Sequence, residues 1–192
     1  MIHHKTMKGY SLVEMIVAVG LFSIVMLLAT AAYATLVDLD RQSRASSDLV
    51  HNLSFALESM ARSIRTGSRY ACGETPGTNC QTGGSCFSFT DEQERDLSYL
   101  LKPDGSIGRV LMGDGHGNYL RSCTPANAIS LTDPNVTIDS LVFYLSGAAR
   151  GDAIQPHVVF TVSGSINVKR NGVITPTRFS VETEATERLL DI

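Results

Sequence analysis

The chain begins with a long run of apolar positions that no charge interrupts: from Met15 to Val37 every residue is hydrophobic, small or uncharged. At about 1.5 Å rise per residue a helix of that length spans roughly 35 Å, enough to cross a hydrocarbon core about 30 Å thick. Beyond it the helical pattern continues in a different form. Leu49, Val50, Leu53, Leu57, Met60, Ala61 and Ile64 recur three and four residues apart, one apolar stripe on an otherwise polar helix. No proline occurs from Ser11 to Thr66, so one helix of roughly 80 Å is expected. Arg62 and Arg65 suit its C-terminus and Gly67 its stop. The second half of that helix must bury its stripe against something other than lipid.

After Gly67 the period becomes two. Strands are expected over Cys86–Thr90, Asp96–Leu101, Ile107–Met112, Tyr119–Arg121, Val136–Ser146, His157–Lys169 and Arg178–Glu187. The alternation is clearest at Val158, Phe160 and Val162 and at Phe179 and Val181. Pro103-Asp104-Gly105-Ser106 is a hairpin signal, Gly113 to Asn118 a glycine-rich loop, and Asn171-Gly172 a further turn. Consecutive strands joined by short turns predict an antiparallel meander packed on the second half of the helix, an α+β plan.

With 192 residues, 43% of them hydrophobic and 18% charged, the chain supports one modest globular domain beside the long helix and no second full domain. The formal charge of −3 gives no reason to expect nucleic-acid binding. No internal repeat or low-complexity tail is visible. The four cysteines, Cys72, Cys80, Cys86 and Cys123, all lie beyond the apolar run, without Cys-x-x-Cys spacing or nearby histidines. Disulfides in an oxidising compartment are therefore favoured over a metal site. Three connectivities are open; Cys72–Cys80, closing a glycine-rich loop, with Cys86–Cys123 is preferred.

The segment Lys8-Gly9-Tyr10-Ser11-Leu12-Val13-Glu14 places one carboxylate at the edge of the apolar run, after a short stretch carrying His3, His4, Lys5 and Lys8. Carried to the bilayer centre, that carboxylate costs roughly 2.5–3.5 kcal/mol. The segment resembles the type III signal of type IV prepilins and pseudopilins. The resemblance implies a leader peptidase/N-methyltransferase that cuts after Gly9 on the cytoplasmic side and methylates the new amine of Tyr10. It also makes Glu14 the glutamate at the fifth mature position. The family's commonest residue after the cut is Phe, so Tyr10 departs by a hydroxyl. The implied plan is a leader over 1–9, a membrane and assembly half over 10–37, an amphipathic half over 38–67, and an exported β-domain over 68–192. Partners would be other pilin or pseudopilin subunits and an assembly platform in the cytoplasmic membrane, with the C-terminal domain outside the cytoplasm before filament assembly.

Cleavage would create an α-amine titrating at about 7.7–8.0, protonated near neutral pH. A neighbour's Glu14 facing it at about 4 Å gains about 4 kcal/mol at an effective dielectric of 20, comparable with the insertion cost. Loss of Lys5 and Lys8 would take the formal charge from −3 to −5 before the new amine is counted. Leu97-Ser98-Tyr99-Leu100, Ile107-Gly108-Arg109, Val136 to Tyr144 and Phe179 to Thr183 are similar to strand sequences of minor pilins and J-type pseudopilins.

Two other readings compete. Ala32-Tyr33-Ala34 is an A-x-A-like site, so an ordinary signal peptidase releasing a soluble binding domain or enzyme after Ala34 is an alternative. An uncleaved single-pass anchor is the other, and Lys5 and Lys8 against Arg41 and Arg44 do not orient it. No catalytic residue, metal or cofactor is expected. His51, His116 and His157 lack partners at catalytic spacing, and Gly113-x-Gly115-x-Gly117 lacks the lysine-bearing helix of a phosphate cradle. Asp114 and Asn118 lack the full spacing of a calcium loop, and Asn135-Val136-Thr137 is a short glycosylation motif that arises often by chance.

Overall fold

The computed structural model describes residues 9–112, 121–149, 154–170 and 173–187. Helix α1 runs over Leu12–Thr66, as its proline-free pattern predicts. The chain divides into two compact units, Met1–Arg44 and Ala45–Ile192.

In the first unit, Leu12–Arg41 is long and apolar enough to cross a membrane, and its large side chains, Leu21, Phe22 and Leu28 among them, stand exposed. Three hydroxyls within it do not need water: Ser23, Thr30 and Thr35 donate to the carbonyls of Val19, Met26 and Ala32, each at 2.7 Å.

In the second unit the last turns of α1 pack on antiparallel strands β1 (Ser68–Cys72), β2 (Cys80–Gly84), β3 (Cys86–Thr90), β4 (Asp96–Leu101), β5 (Ile107–Met112), β6 (Ile129–Ser130), β7 (Val136–Ser146), β8 (His157–Arg170) and β9 (Val173–Thr186). The single meander expected from the sequence is divided in two. One sheet has the order β1-β3-β4-β5-β6 and the other β2-β7-β8-β9. The division follows from strands that carry no period-two signal. β1 holds a register shift between Ser68 and Ala71, and β2 is Cys-Gln-Thr-Gly-Gly, which reads as loop. Of the strand expected over Tyr119–Arg121, the first two residues lie outside the described ones and Arg121 belongs to no strand.

The core forms where three apolar sets meet. Leu53, Leu57, Met60 and Ile64 from α1 meet Phe87, Phe89, Leu97 and Tyr99 from one sheet and Leu141, Phe143, Val158 and Phe160 from the other, all buried. Aromatic rings run through it, with Phe87 stacked on Phe143 at 5.5 Å and Tyr70 edge-on to Phe87 at 5.3 Å. The Tyr70 hydroxyl donates to the carbonyl of Ile64, and the Gly67 N–H donates to the same oxygen at 3.0 Å, so one orphan carbonyl at the helix end is met twice. Burial, with the Glu187 carboxylate adding to it, pushes the Tyr70 phenol above its ordinary value, which keeps it a donor.

Gly67 ends the helix for a steric reason. A Cβ there would lie 2.3 Å from the Phe89 ring, so absence of a side chain lets β3 approach the helix terminus. The β4–β5 turn is held by Asp104, whose Oδ1 accepts from the Ser106 N–H at 3.0 Å and whose Oδ2 lies 3.0 Å from Lys102 Nζ. The hydrogen bonds from Ser106 and Lys102 lower its carboxyl to about 2. Its folded value being depressed, this exposed clasp is fully present above the ordinary carboxylate range and is lost only as pH falls through about 2.

Gly164 marks where β7 and β8 come closest. A Cβ at this position would sit 2.2 Å from the Thr137 carbonyl oxygen, beside the register shift between Ile138 and Ser140. Gly164→Ala is expected to destabilise the second unit by about 1–3 kcal/mol or more through overpacking against backbone. Gly20→Ala, with open space around it, is expected to leave thermal melting of that unit unchanged. Equal melting temperatures for wild type and G164A would contradict the close approach.

Candidate assembly site and the staples of the second unit

Gly9, Tyr10 and Ser11 precede the helix in non-helical conformation, with Tyr10 84% exposed. The Met15 N–H donates to the Ser11 carbonyl at 3.2 Å, which sets Ser11 at the helix entry and puts Glu14 in the first turn. A carboxylate there is favoured by the helix dipole, worth typically about 0.3–1 kcal/mol, well short of a full insertion cost. Among the described residues no hydrogen bond or ion pair takes up the Glu14 carboxylate. Tyr10 thus stands exposed, and Glu14, unmatched among the described residues, lies one helical turn after it.

The four cysteines form two bonds: Cys72–Cys80, with sulfurs 2.02 Å apart, and Cys86–Cys123, with Cα atoms 6.0 Å apart. No cysteine is free. The first closes a loop of sequence separation 8 and joins an edge strand of each sheet; the second spans 37 residues. Loop-closure entropy makes the longer one the stronger constraint on the unfolded chain. Gly84 leaves room for the first: a Cβ there would stand 2.1 Å from Cys72 Sγ.

Two residues before Cys123 lies Arg121, which no sequence motif singles out. Arg121 lies over the face of β3 and β4 opposite the main core, with its side chain 2% exposed, and its Nε is 3.5 Å from Asp96 Oδ1, itself on a side chain 1% exposed. Its other nitrogens donate to the Arg69 carbonyl at 2.5 Å, to Ser88 Oγ at 3.2 Å and to Thr90 Oγ1 at 3.3 Å. Thr90 Oγ1 in turn donates to Asp96 Oδ1 at 2.9 Å. Burial pulls the guanidinium below its ordinary value; Asp96 opposes this and Arg69 adds to it. Asp96 Oδ2 and Arg121 Nε nonetheless lack hydrogen-bond partners, so the pair fixes position more than it stabilises. Beside it Cys86, Leu100 and Val110 form a small second core with Cys123.

The remaining candidates are scattered. His51 is exposed on α1, and His157 pairs with Glu184 at 3.5 Å on the surface. Asn135 is exposed in a turn, its side chain donating to Asp133. Gly113, Asp114, Gly115, His116, Gly117 and Asn118 lie outside the described residues. Among the described residues no group of three His, Cys, Asp or Glu side chains could hold a metal.

Residues 4–30 match the family model for the prokaryotic N-terminal methylation motif, the type IV pilin signal. No curated protein and no solved structure matches the chain. The motif, the apolar helix behind it and the α+β second unit agree with a type IV pilin-like organisation.

Removing one member of the buried pair should cost far more than removing both. Arg121→Met alone is expected to lower unfolding stability by roughly 3–5 kcal/mol, and Asp96→Leu combined with it to recover most of that loss, read by urea unfolding. Additive losses would show that the two charges do not act together. In the same domain Gly84→Ala should leave Cys72 and Cys80 alkylatable while Cys86–Cys123 persists by non-reducing peptide mapping.

Proposed function

We propose that this chain is a structural subunit, a minor pilin or pseudopilin, of a type IV pilus-like or type II secretion-like filament. The observation that carries this reading is the methylation motif at residues 4–30 leading directly into the apolar segment Leu12–Arg41. Residues 1–9 are then a leader, 10–37 the membrane and assembly half of the helix, 38–67 its amphipathic half and 68–192 the exported domain. Prepilin peptidase cuts after Gly9, the Tyr10 amine is methylated, and the subunit waits in the cytoplasmic membrane until the assembly platform draws it into a filament of its own kind. The paired cysteines favour an oxidising compartment for the second unit. The role is structural: the chain is acted on by an enzyme rather than acting as one.

Glu14 is the assembly residue of this mechanism. In lipid an unmatched carboxylate either takes up a proton or finds a positive partner. The Tyr10 amine of a neighbouring subunit is such a partner, and pairing the two sets the axial stagger between helices. The gain of about 4 kcal/mol at 4 Å is the right size to offset insertion.

Intact mass and N-terminal sequencing should find the mature chain starting at Tyr10. A start at Thr35 would overturn the filament reading in favour of a released soluble domain. Gly9 replaced by a bulky residue should accumulate as precursor in the membrane. Glu14→Gln should be cleaved and inserted as well as wild type but be depleted from sheared filaments at equal membrane abundance. Undiminished incorporation of E14Q would defeat the pairing with Tyr10.

A further inference from the structure

Strand β9 is an edge, joined to β8 alone among the described strands. The other edges are blunted against strand addition. β1 and β2 are 5 residues each with register shifts, and β6 has 2 residues. β9 has 14 residues and keeps unbroken register with β8 from His157↔Thr186 to Arg170↔Val173.

Which of its backbone groups are open follows from one bond. The Glu187 N–H donates to the Pro156 carbonyl at 3.0 Å, so that pair is hydrogen-bonded, and bonded and non-bonded pairs alternate along an antiparallel ladder. Odd-numbered residues of β9 therefore bond to β8. The N–H and C=O groups of Arg178, Ser180, Glu182 and Glu184 point away from the sheet. Pro176 agrees with this, since its missing N–H falls on the open side.

Beside that edge lies a groove. Phe179, Val181 and Thr183 line it from β9 and Leu53, Leu57 and Ala61 from α1, enclosing about 400 Å³. On the opposite face of β9, Glu182 and Glu184 are exposed acids and Arg178 an exposed base. We propose that the β9 edge takes up an extended segment of a second, non-identical polypeptide as an added antiparallel strand. Its alternate apolar side chains fill the groove, and its basic side chains lie opposite Glu182 and Glu184.

A second copy of this chain fits less well. Pairing β9 with itself about a two-fold through Val181 would match Glu184 with Arg178. The same two-fold reverses the helix over the groove, so the two chains would enter their domains from opposite sides, which copies anchored in one membrane do not do. This step rests on the membrane anchoring proposed above. The other edges of a copy are too short, or in β2 too rich in glycine, to fill the groove.

Hydrogen exchange on the full chain in detergent micelles tests the proposal without reference to leader processing. The probe is an acetylated, amidated peptide, Lys-Val-Lys-Val-Thr-Val-Glu, and the control is the same peptide with its Thr, whose N–H would point at β9, replaced by Pro. The amides of Ser180, Glu182 and Glu184 should exchange fast in the protein alone and slow at least about tenfold with the probe. Ser180→Pro, and separately Glu182→Pro, should keep the inward amides of Val181 and Thr183 slow, as a fold check, yet abolish the slowing by the probe. Four results would overturn the proposal: no slowing with the probe; outward amides already slow without it, meaning the edge is covered by the chain itself or by a copy; equal slowing by the control; or full retention of the effect in S180P and E182P.

Discussion

One helix has to satisfy two solvents, and the rest of the chain is arranged around that demand. From Met15 to Val37 it carries no charge on any face, and Ser23, Thr30 and Thr35 return their hydroxyls to its own backbone, which suits a medium without water. From Leu49 onward the apolar positions shrink to one stripe, because the medium on the other faces is water and the stripe must be met by protein. The two sheets supply that protein. Met60 and Ile64, fully buried, sit where the aromatic rings of β3 and β7 converge.

A domain this small has a limited apolar interior, and it adds constraints of other kinds. The disulfides act on the unfolded chain, the longer loop more than the shorter. The Arg121–Asp96 pair acts on the folded one, since desolvating two charges gives back little net stability but permits few arrangements of the segment that carries Cys123. Glycines at positions 67, 84 and 164 allow contacts that any side chain would block, against Phe89, Cys72 and Thr137 respectively.

The sequence made the helix and six of the nine described strands legible because their periods extend over enough residues to be read: the stripe from Leu49 to Ile64, the alternation of Val158, Phe160 and Val162. It hid β1, β2 and β6, whose shortness, register shifts and glycines leave no period, and with them the partition into two sheets. Gly67 was readable as the end of the helix, but not the contact that needs a glycine there, with a ring 22 residues later. The methylation motif is local and was readable for that reason. Arg121 was not, because nothing in its neighbourhood announces that Asp96, Ser88 and Thr90 will fold beneath it.

Asp96 and Glu14 are acids in contrasting settings, and the contrast bears on the assembly proposed above. Asp96 is buried by its own domain and meets Arg121 there, a partner encoded in the same chain and fixed in place by Cys86–Cys123. Glu14 stands at the head of an apolar helix, and the described residues bring no cation to it. A helix dipole offsets only a fraction of the cost of placing a carboxylate in lipid. An acid that the fold leaves unmatched is tolerable at an interface and costly inside, so burying it becomes favourable only together with a positive charge from another molecule. On the filament reading proposed above, a subunit built in this way waits at the membrane while single and gains its missing interaction on joining others, so that the unmatched charge couples insertion to assembly.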